Sequence, residues 1–177
     1  VDENIVCMQL TGLLIKIDRA SSSISYYKPD GTLLLKERKK DSRTMEAFQS
    51  YRVEQAGQTT HIQTADGVKT FVKDAVRVPD KQLYHTRMHF EWQQGEALYG
   101  LGQHEEGVLN LRGHQVYLHQ ANRKIAIPLL VSSLGYGILM NTSSTMIFSD
   151  TEYGSYLYTE AVPQLDFYFI NGEGMDG

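Results

Sequence analysis

The residues of this chain that could do chemistry are two pairs of carboxylates and a scatter of histidines. Glu105 and Glu106 are adjacent. On an extended segment neighbouring side chains point to opposite faces, so this pair cannot flank one bond. Asp150 and Glu152 stand two residues apart, which on a strand places both on one face about 6.6 Å apart. Hydrolysis of a glycosidic bond uses two carboxyl groups, about 5–5.5 Å apart for retention and about 6.5–9.5 Å for inversion. Asp150-Thr151-Glu152-Tyr153-Gly154 also has the composition of a turn, because Asp bonds its own backbone and Gly accepts positive φ. The turn is the preferred reading. His85 and His89 share a strand face, but four residues of strand separate them by about 13 Å. Zn–N bonds of about 2 Å cannot bridge that distance. His104, His114 and His119 lie in turn-rich sequence without a flanking ligand pattern. Neither a catalytic residue nor a metal or cofactor site is therefore assigned.

Other motifs are equally plain. No Gly-x-Ser-x-Gly elbow occurs. Tyr99-Gly100-Leu101-Gly102 lacks the third glycine and the helix of a dinucleotide fingerprint. Its glycines suit a tight backbone path beside a neighbouring strand. Cys7 is alone, which excludes an internal disulfide and a cysteine metal cluster. It reads as a small apolar strand residue. Tyr26, Tyr27, Tyr153, Tyr156 and Tyr158 fit a strand-rich core as well as a sugar-stacking surface.

The elements that must position these residues are strands. Leu13, Ile15 and Ile17 alternate with Leu14, Lys16 and Asp18. Tyr84, Met88, Phe90 and Trp92 fall on one face, and Leu83, His85, Arg87, His89 and Glu91 on the other. Leu165 to Ile170 reads as a strand covered on both faces. Asp30-Gly31 and Asp66-Gly67 are hairpin signals. Further strands are expected near 5–10, 22–27, 32–37, 47–55, 60–65, 68–73, 115–120, 127–132, 136–141, 145–149 and 155–160. Pro128 and Pro163 are expected at strand starts, where a missing N–H is tolerated. The charged run Lys36 to Arg43 is expected to be a solvated loop. Many short strands, turn signals and little helix define an all-β antiparallel sandwich.

The 177 residues suit a single domain, 1–177, and 41% apolar content supports a core. The net charge of −4 and the want of a long basic patch argue against nucleic-acid binding. No run of about 20 apolar residues occurs, so no membrane partner is expected. The N-terminus carries no signal-peptide pattern. A periplasmic or secreted location is favoured over a cytoplasmic one.

Three segments carry a resemblance. They are Glu96-Ala97-Leu98-Tyr99-Gly100-Leu101-Gly102-Gln103-His104, the Leu134-Gly135-Tyr136-Gly137 turn, and Leu165-Asp166-Phe167-Tyr168-Phe169-Ile170-Asn171-Gly172. Together they resemble the N-terminal β-sandwich of glycoside hydrolase family 31, which is of the galactose-mutarotase-like supersandwich type. Gln103, where many members carry Glu, leans toward the α-xylosidase-like branch, with α-glucosidase next. The resemblance implies a non-catalytic front domain. The chain is too short for the family's (β/α)8 barrel of about 250 residues. The barrel is expected after residue 177, with the Gly-rich end Gly172 to Gly177 as the boundary. The family's two catalytic aspartates would lie on that barrel.

In maltase-like members one loop of this domain reaches the rim of the sugar pocket. The matching place here is Asn122-Arg123-Lys124, the substrate-binding residues the resemblance implies, with Lys124 where an acidic residue is usual. The expected partners are the chain's own C-terminal barrel and an α-linked oligosaccharide. Self-association of the isolated domain through the uncovered barrel-facing surface is also expected. The alternatives are a stand-alone carbohydrate-binding module, an aldose mutarotase-like sandwich, or a structural module of another assembly. A histidine, His104 or His119, hydrogen-bonded to a carboxylate would favour the mutarotase.

Overall fold

The computed structural model describes residues 3–172, and no helix occurs among them. The strands are β1 (Ile5–Leu10), β2 (Leu13–Asp18), β3 (Ile24–Tyr27), β4 (Leu33–Glu37), β5 (Arg43–Gln55), β6 (Gln58–Thr64), β7 (Gly67–Lys73) and β8 (Val76–Glu91). They continue with β9 (Leu98–Gln103), β10 (Gln115–Leu118), β11 (Ile125–Ser132), β12 (Tyr136–Met140), β13 (Met146–Thr151), β14 (Gly154–Val162) and β15 (Phe167–Asn171). The chain forms two compact units. One comprises the residues up to Glu46 and from Tyr84 onward, and the other is Ala47–Leu83.

The first unit is an antiparallel sandwich. Its large sheet runs β1-β2-β3-β4-β8-β14-β13-β10, and its small sheet runs β15-β12-β11-β9. The core lies between them and draws Leu34, Leu35, Met88, Phe148 and Leu157 from the large sheet and Leu98, Leu130, Ile138 and Met140 from the small one. Tyr26 of β3 stacks on Phe169 of β15 with ring centroids 3.9 Å apart. Aligned sheets with interdigitating inner faces are the stable form of such a pattern.

In β8 the alternation read from sequence holds for Met88 and Phe90, which are buried as Thr86 is, while Arg87 and Glu91 are exposed. Trp92 lies just past the strand end and stacks on Phe90 at 4.8 Å. Both Asp-Gly signals mark hairpins. In each, Asp is a central residue of the turn and Gly follows it with positive φ, 88° at Gly31 and 111° at Gly67. That is a type I turn closed by a left-handed glycine rather than Asp-Gly as the central pair.

Several expectations need correction. Cys7 is exposed on β1, an edge strand. Pro128 sits inside β11, at the register irregularity between Ala126 and Leu130, where no ladder N–H is needed. Pro163 follows the end of β14. The expected solvated loop at Lys36 to Arg43 contains the end of β4, and its Glu37 is buried. β15 is covered on one face only, because Tyr168 and Ile170 are exposed. The part of the expected boundary beyond Gly172 lies outside the described residues.

Glu37 has a measurable consequence. The Ile24 N–H donates to it at 2.9 Å, and Arg43 Nε lies 3.4 Å from the same carboxylate oxygen. Its other oxygen is buried without a hydrogen bond. Burial outweighs both partners and pushes the carboxyl up to about 7. The folded state thus holds this proton more tightly than the unfolded chain does. The stabilising effect is complete below about pH 4.5 and is lost as pH rises through about 7. Glu37→Gln, which mimics the protonated form, should match the wild type near pH 4.5. At pH 8 it should exceed it by about 2–3 kcal/mol in denaturant unfolding.

The second unit contains the β6–β7 hairpin, a two-stranded sheet paired from Gln58↔Lys73 to Thr64↔Gly67. The Ser50 hydroxyl donates to the Lys81 carbonyl at 2.8 Å.

Candidate functional site

The segment Tyr99 to Gln103 is a strand with an unusual backbone. Gly100, Leu101 and Gly102 all have positive φ, 96°, 63° and 97°. The path runs so close to β11 that a Cβ on Gly102 would lie 1.9 Å from the Ile125 carbonyl oxygen, and one on Gly100 2.4 Å from that of Leu129. The same geometry turns Leu101 into the core, where it is fully buried. The close approach expected from Gly-Leu-Gly is therefore present.

Behind this strand a buried carboxylate fixes the corner. Glu96 Oε1 accepts the hydroxyls of Ser132 and Tyr136, each at 2.5 Å, and Oε2 accepts the Gln93 N–H at 2.7 Å. Burial and the nearby Glu96 charge push the Tyr136 phenol far up, so it remains a donor. This ties the start of β9 to β11 and β12 and holds their register.

The loop Gln120 to Lys124 leads into β11. Ala121 and Lys124 form an isolated bridge, with Asn122 and Arg123 at the tip. Arg123 takes the left-handed conformation, with φ 62°. The Gln120 amide donates to the Lys124 carbonyl at 3.0 Å. Arg123 Nη1 lies 3.4 Å from Glu105, and Lys124 Nζ lies 2.5 Å from Glu106. The adjacent glutamates that cannot flank one bond thus engage two adjacent cations. The Lys124 ammonium holds the Glu106 carboxyl below its usual range. Arg123 and Glu105 are both exposed, so solvent screens that pair and it stabilises the fold little. The tip can offer an amide and a guanidinium fork to a hydroxylated ligand.

Asp150 and Glu152 do not form a catalytic pair. Asp150 accepts Arg112 Nε at 2.8 Å, the Gly113 N–H at 2.9 Å and the Ser155 hydroxyl. Burial would raise its carboxyl, but these hydrogen bonds outweigh burial and hold it below the usual range. Its oxygens are committed to the fold. Glu152 is exposed beside the turn into β14. His104 Nε2 is 2.8 Å from the Leu101 carbonyl. Among the described residues neither His104 nor His119 pairs with a carboxylate within 4.0 Å, and no group of three or more His, Cys, Asp or Glu could hold a metal.

The buried roles of Glu37 and Glu96 and the Asp150 partner Arg112 were not read from the sequence. The signal for Glu96 lay in its position beside Tyr99-Gly100-Leu101-Gly102. Nothing local marks Glu37, because its partners come from β3 and β5 on either side of its own strand.

An antiparallel sandwich with a glycine-tightened strand and a cationic loop is a domain of the galactose mutarotase-like type. Residues 2–148 match the glycosyl hydrolase 31 N-terminal galactose mutarotase-like domain, and the chain belongs to that family. It is 36% identical over 102 residues to an α-xylosidase of Saccharolobus solfataricus, a match covering 52% of this chain and 14% of that protein. It is 33% identical over 92 residues to an uncharacterized family 31 glucosidase of Pseudescherichia vulneris, covering 52% of this chain and 17% of that protein. The fold superposes on the family 31 α-xylosidase of Xanthomonas citri with TM-score 0.61 and 25% identity, covering 85% of this chain and 13% of that one. A cycloalternan-forming enzyme of Listeria monocytogenes gives TM-score 0.66 at 19% identity, covering 98% of this chain and 15% of that one. The chain thus spans about one-sixth of these proteins or less.

Proposed function

We propose that this chain is the non-catalytic N-terminal domain of an α-glycosidase, an α-xylosidase first, that packs on a catalytic barrel and shapes one wall of its sugar pocket. The observation that carries the reading is the outer face of the small sheet. Across it Tyr168 stands opposite Leu139, and Leu139 opposite Leu129. Ile170, Gly137, Val131 and Tyr99 form the next row. Directly opposed residues share a face, and Ile127 and Ile125 extend it along β11. Tyr168, Ile170, Ile125 and Ile127 are 46–55% exposed. A face of apolar side chains that spans a whole sheet marks a binding surface. The relatives, of which this chain covers about one-sixth, supply a partner of the right kind: the remainder of the same polypeptide. The paired carboxylates that cleave the glycosidic bond with retention then lie on the barrel.

Asn122, Arg123 and Lys124 are the proposed sugar-facing residues. The purified chain should give no turnover of aryl α-xyloside or aryl α-glucoside. In the parent enzyme, Arg123→Ala should lower kcat/KM by about 1–3 kcal/mol through a lost charged hydrogen bond. Alanine meets the same backbone demand at φ 62°, and the Glu105 pair is exposed, so folding should change by no more than about 0.5 kcal/mol. Unchanged kinetics with a clear fall in Tm would make the loop a structural tie. Turnover by the chain alone would contradict the supporting role.

A further inference from the structure

Among the described residues the β6–β7 hairpin pairs with no other strand, which leaves it two open edges of opposite character. β7, Gly67-Val68-Lys69-Thr70-Phe71-Val72-Lys73, carries two lysines. Lysine on an edge strand discourages pairing with another chain, because extending the sheet would desolvate the charge. β6, Gln58-Thr59-Thr60-His61-Ile62-Gln63-Thr64, has no Lys, Arg, Asp, Glu or Pro. Its threonines and isoleucine favour strand geometry. The unpaired backbone groups of β6 therefore form an unguarded edge, and those of β7 a guarded one.

The hairpin is also short of partners in its own sheet. Two strands alone are marginal in water, and three or more are needed for independent stability. Both of its faces expose apolar side chains, Ile62 and Phe71 on one and Val68 and Val72 on the other, each 48–62% exposed.

We propose that β6 pairs antiparallel with β6 of a second copy of this chain, about a two-fold axis through His61. His61 is the midpoint of the strand, so this register pairs all seven residues: Thr60 with Ile62, Thr59 with Gln63 and Gln58 with Thr64 of the other copy. The product is a four-stranded sheet in the order β7-β6-β6-β7. Its two outer edges are then both the lysine-bearing strand, so growth stops at the dimer. Because period-2 alternation is kept across the axis, Ile62 and Phe71 of both copies come to one face. No charged residue on β6 opposes the approach. This surface is distinct from the outer face of the small sheet, and the inference does not depend on the docking reading.

The experiment uses the 177-residue chain carrying Cys7→Ser, which removes its only thiol, and Ile127→Asp, which takes the small-sheet face out of competition. Light scattering at rising concentration should show a monomer–dimer equilibrium. Ile62→Lys, which puts a charge on β6 without touching the hairpin turn, should weaken the dimer at least tenfold. In the Cys7→Ser, Ile127→Asp chain with Ile62 intact, His61→Cys should form an intermolecular disulfide on mild oxidation, since residues on the axis face each other at near-disulfide range. Thr64→Cys should not, because the register holds its two copies about 20 Å apart. A monomer at all concentrations overturns the proposal. So does a dimer indifferent to Ile62→Lys, or oxidation that links position 64 as readily as position 61.

Discussion

An aspartate at Ile127 or Ile170 should leave the isolated chain folded and separate it from the rest of its enzyme. Both side chains lie on the outer face of the small sheet and are about half exposed. In the chain alone, a carboxylate there meets water, and stability should move by no more than about 0.5 kcal/mol. Against a packed barrel the same carboxylate is buried without a partner. An uncompensated buried charge costs about 3–5 kcal/mol, a large share of what an interface of about 600–1,500 Å² between domains of one chain can supply. The variant parent should therefore lose its single cooperative melting transition and most of its turnover. The isolated chain, which should self-associate through this face, should become more monodisperse. Equal melting and turnover of wild-type and variant parents would show that the face is not covered.

Gly102→Ala should be a severely damaging substitution. The added Cβ would lie 1.9 Å from the Ile125 carbonyl oxygen and 2.9 Å from the Ile127 nitrogen, with φ at 97°. Backbone atoms on a paired strand cannot retreat as the end of a flexible side chain can. The ladder between β9 and β11 must open, and with it the burial of Leu98, Leu101 and Leu130. A loss of at least about 3 kcal/mol is expected from overpacking plus backbone strain. Gly31→Ala is the internal comparison. Its φ is 88°, but nothing lies within 4 Å of the added methyl. The expected cost is only the left-handed penalty of about 1–2 kcal/mol. Denaturant midpoints of the two variants should differ accordingly. Equal losses would mean that close approach at Gly102 is not what the glycine serves.

Much of the sandwich was legible because strand alternation and turn chemistry are local signals. Met88 and Phe90 alternate with exposed partners on one strand, and Asp30-Gly31 and Asp66-Gly67 each mark a hairpin. The glycines at 100 and 102 announced a close backbone approach, although not which strand lies beside them. What was illegible depends on long-range pairing. Phe167 to Ile170 is apolar at every position, which suggests two covered faces. Only the sheet order β15-β12-β11-β9 shows that one side of it is open. Cys7 is small and flanked by Val6 and Met8, yet β1 is an edge, so it is exposed. Glu37 sat in a charged run and was read as solvated, whereas β3, β4 and β5 close over it. At the loop tip, the sequence singled out Asn122-Arg123-Lys124 but not their pairing with Glu105 and Glu106, which lie 18 residues away in sequence.

The most direct test of the docking account is side-chain footprinting of Tyr168, Ile170, Ile125 and Ile127 in two proteins, the isolated chain and the parent enzyme. Hydroxyl-radical labelling reads the solvent access of each side chain, with exposed Tyr153 of the turn before β14 as the reference. All four should label heavily in the isolated chain and be strongly protected in the parent, with Tyr153 labelled alike in both. Equal labelling of the four side chains in the two proteins would contradict it.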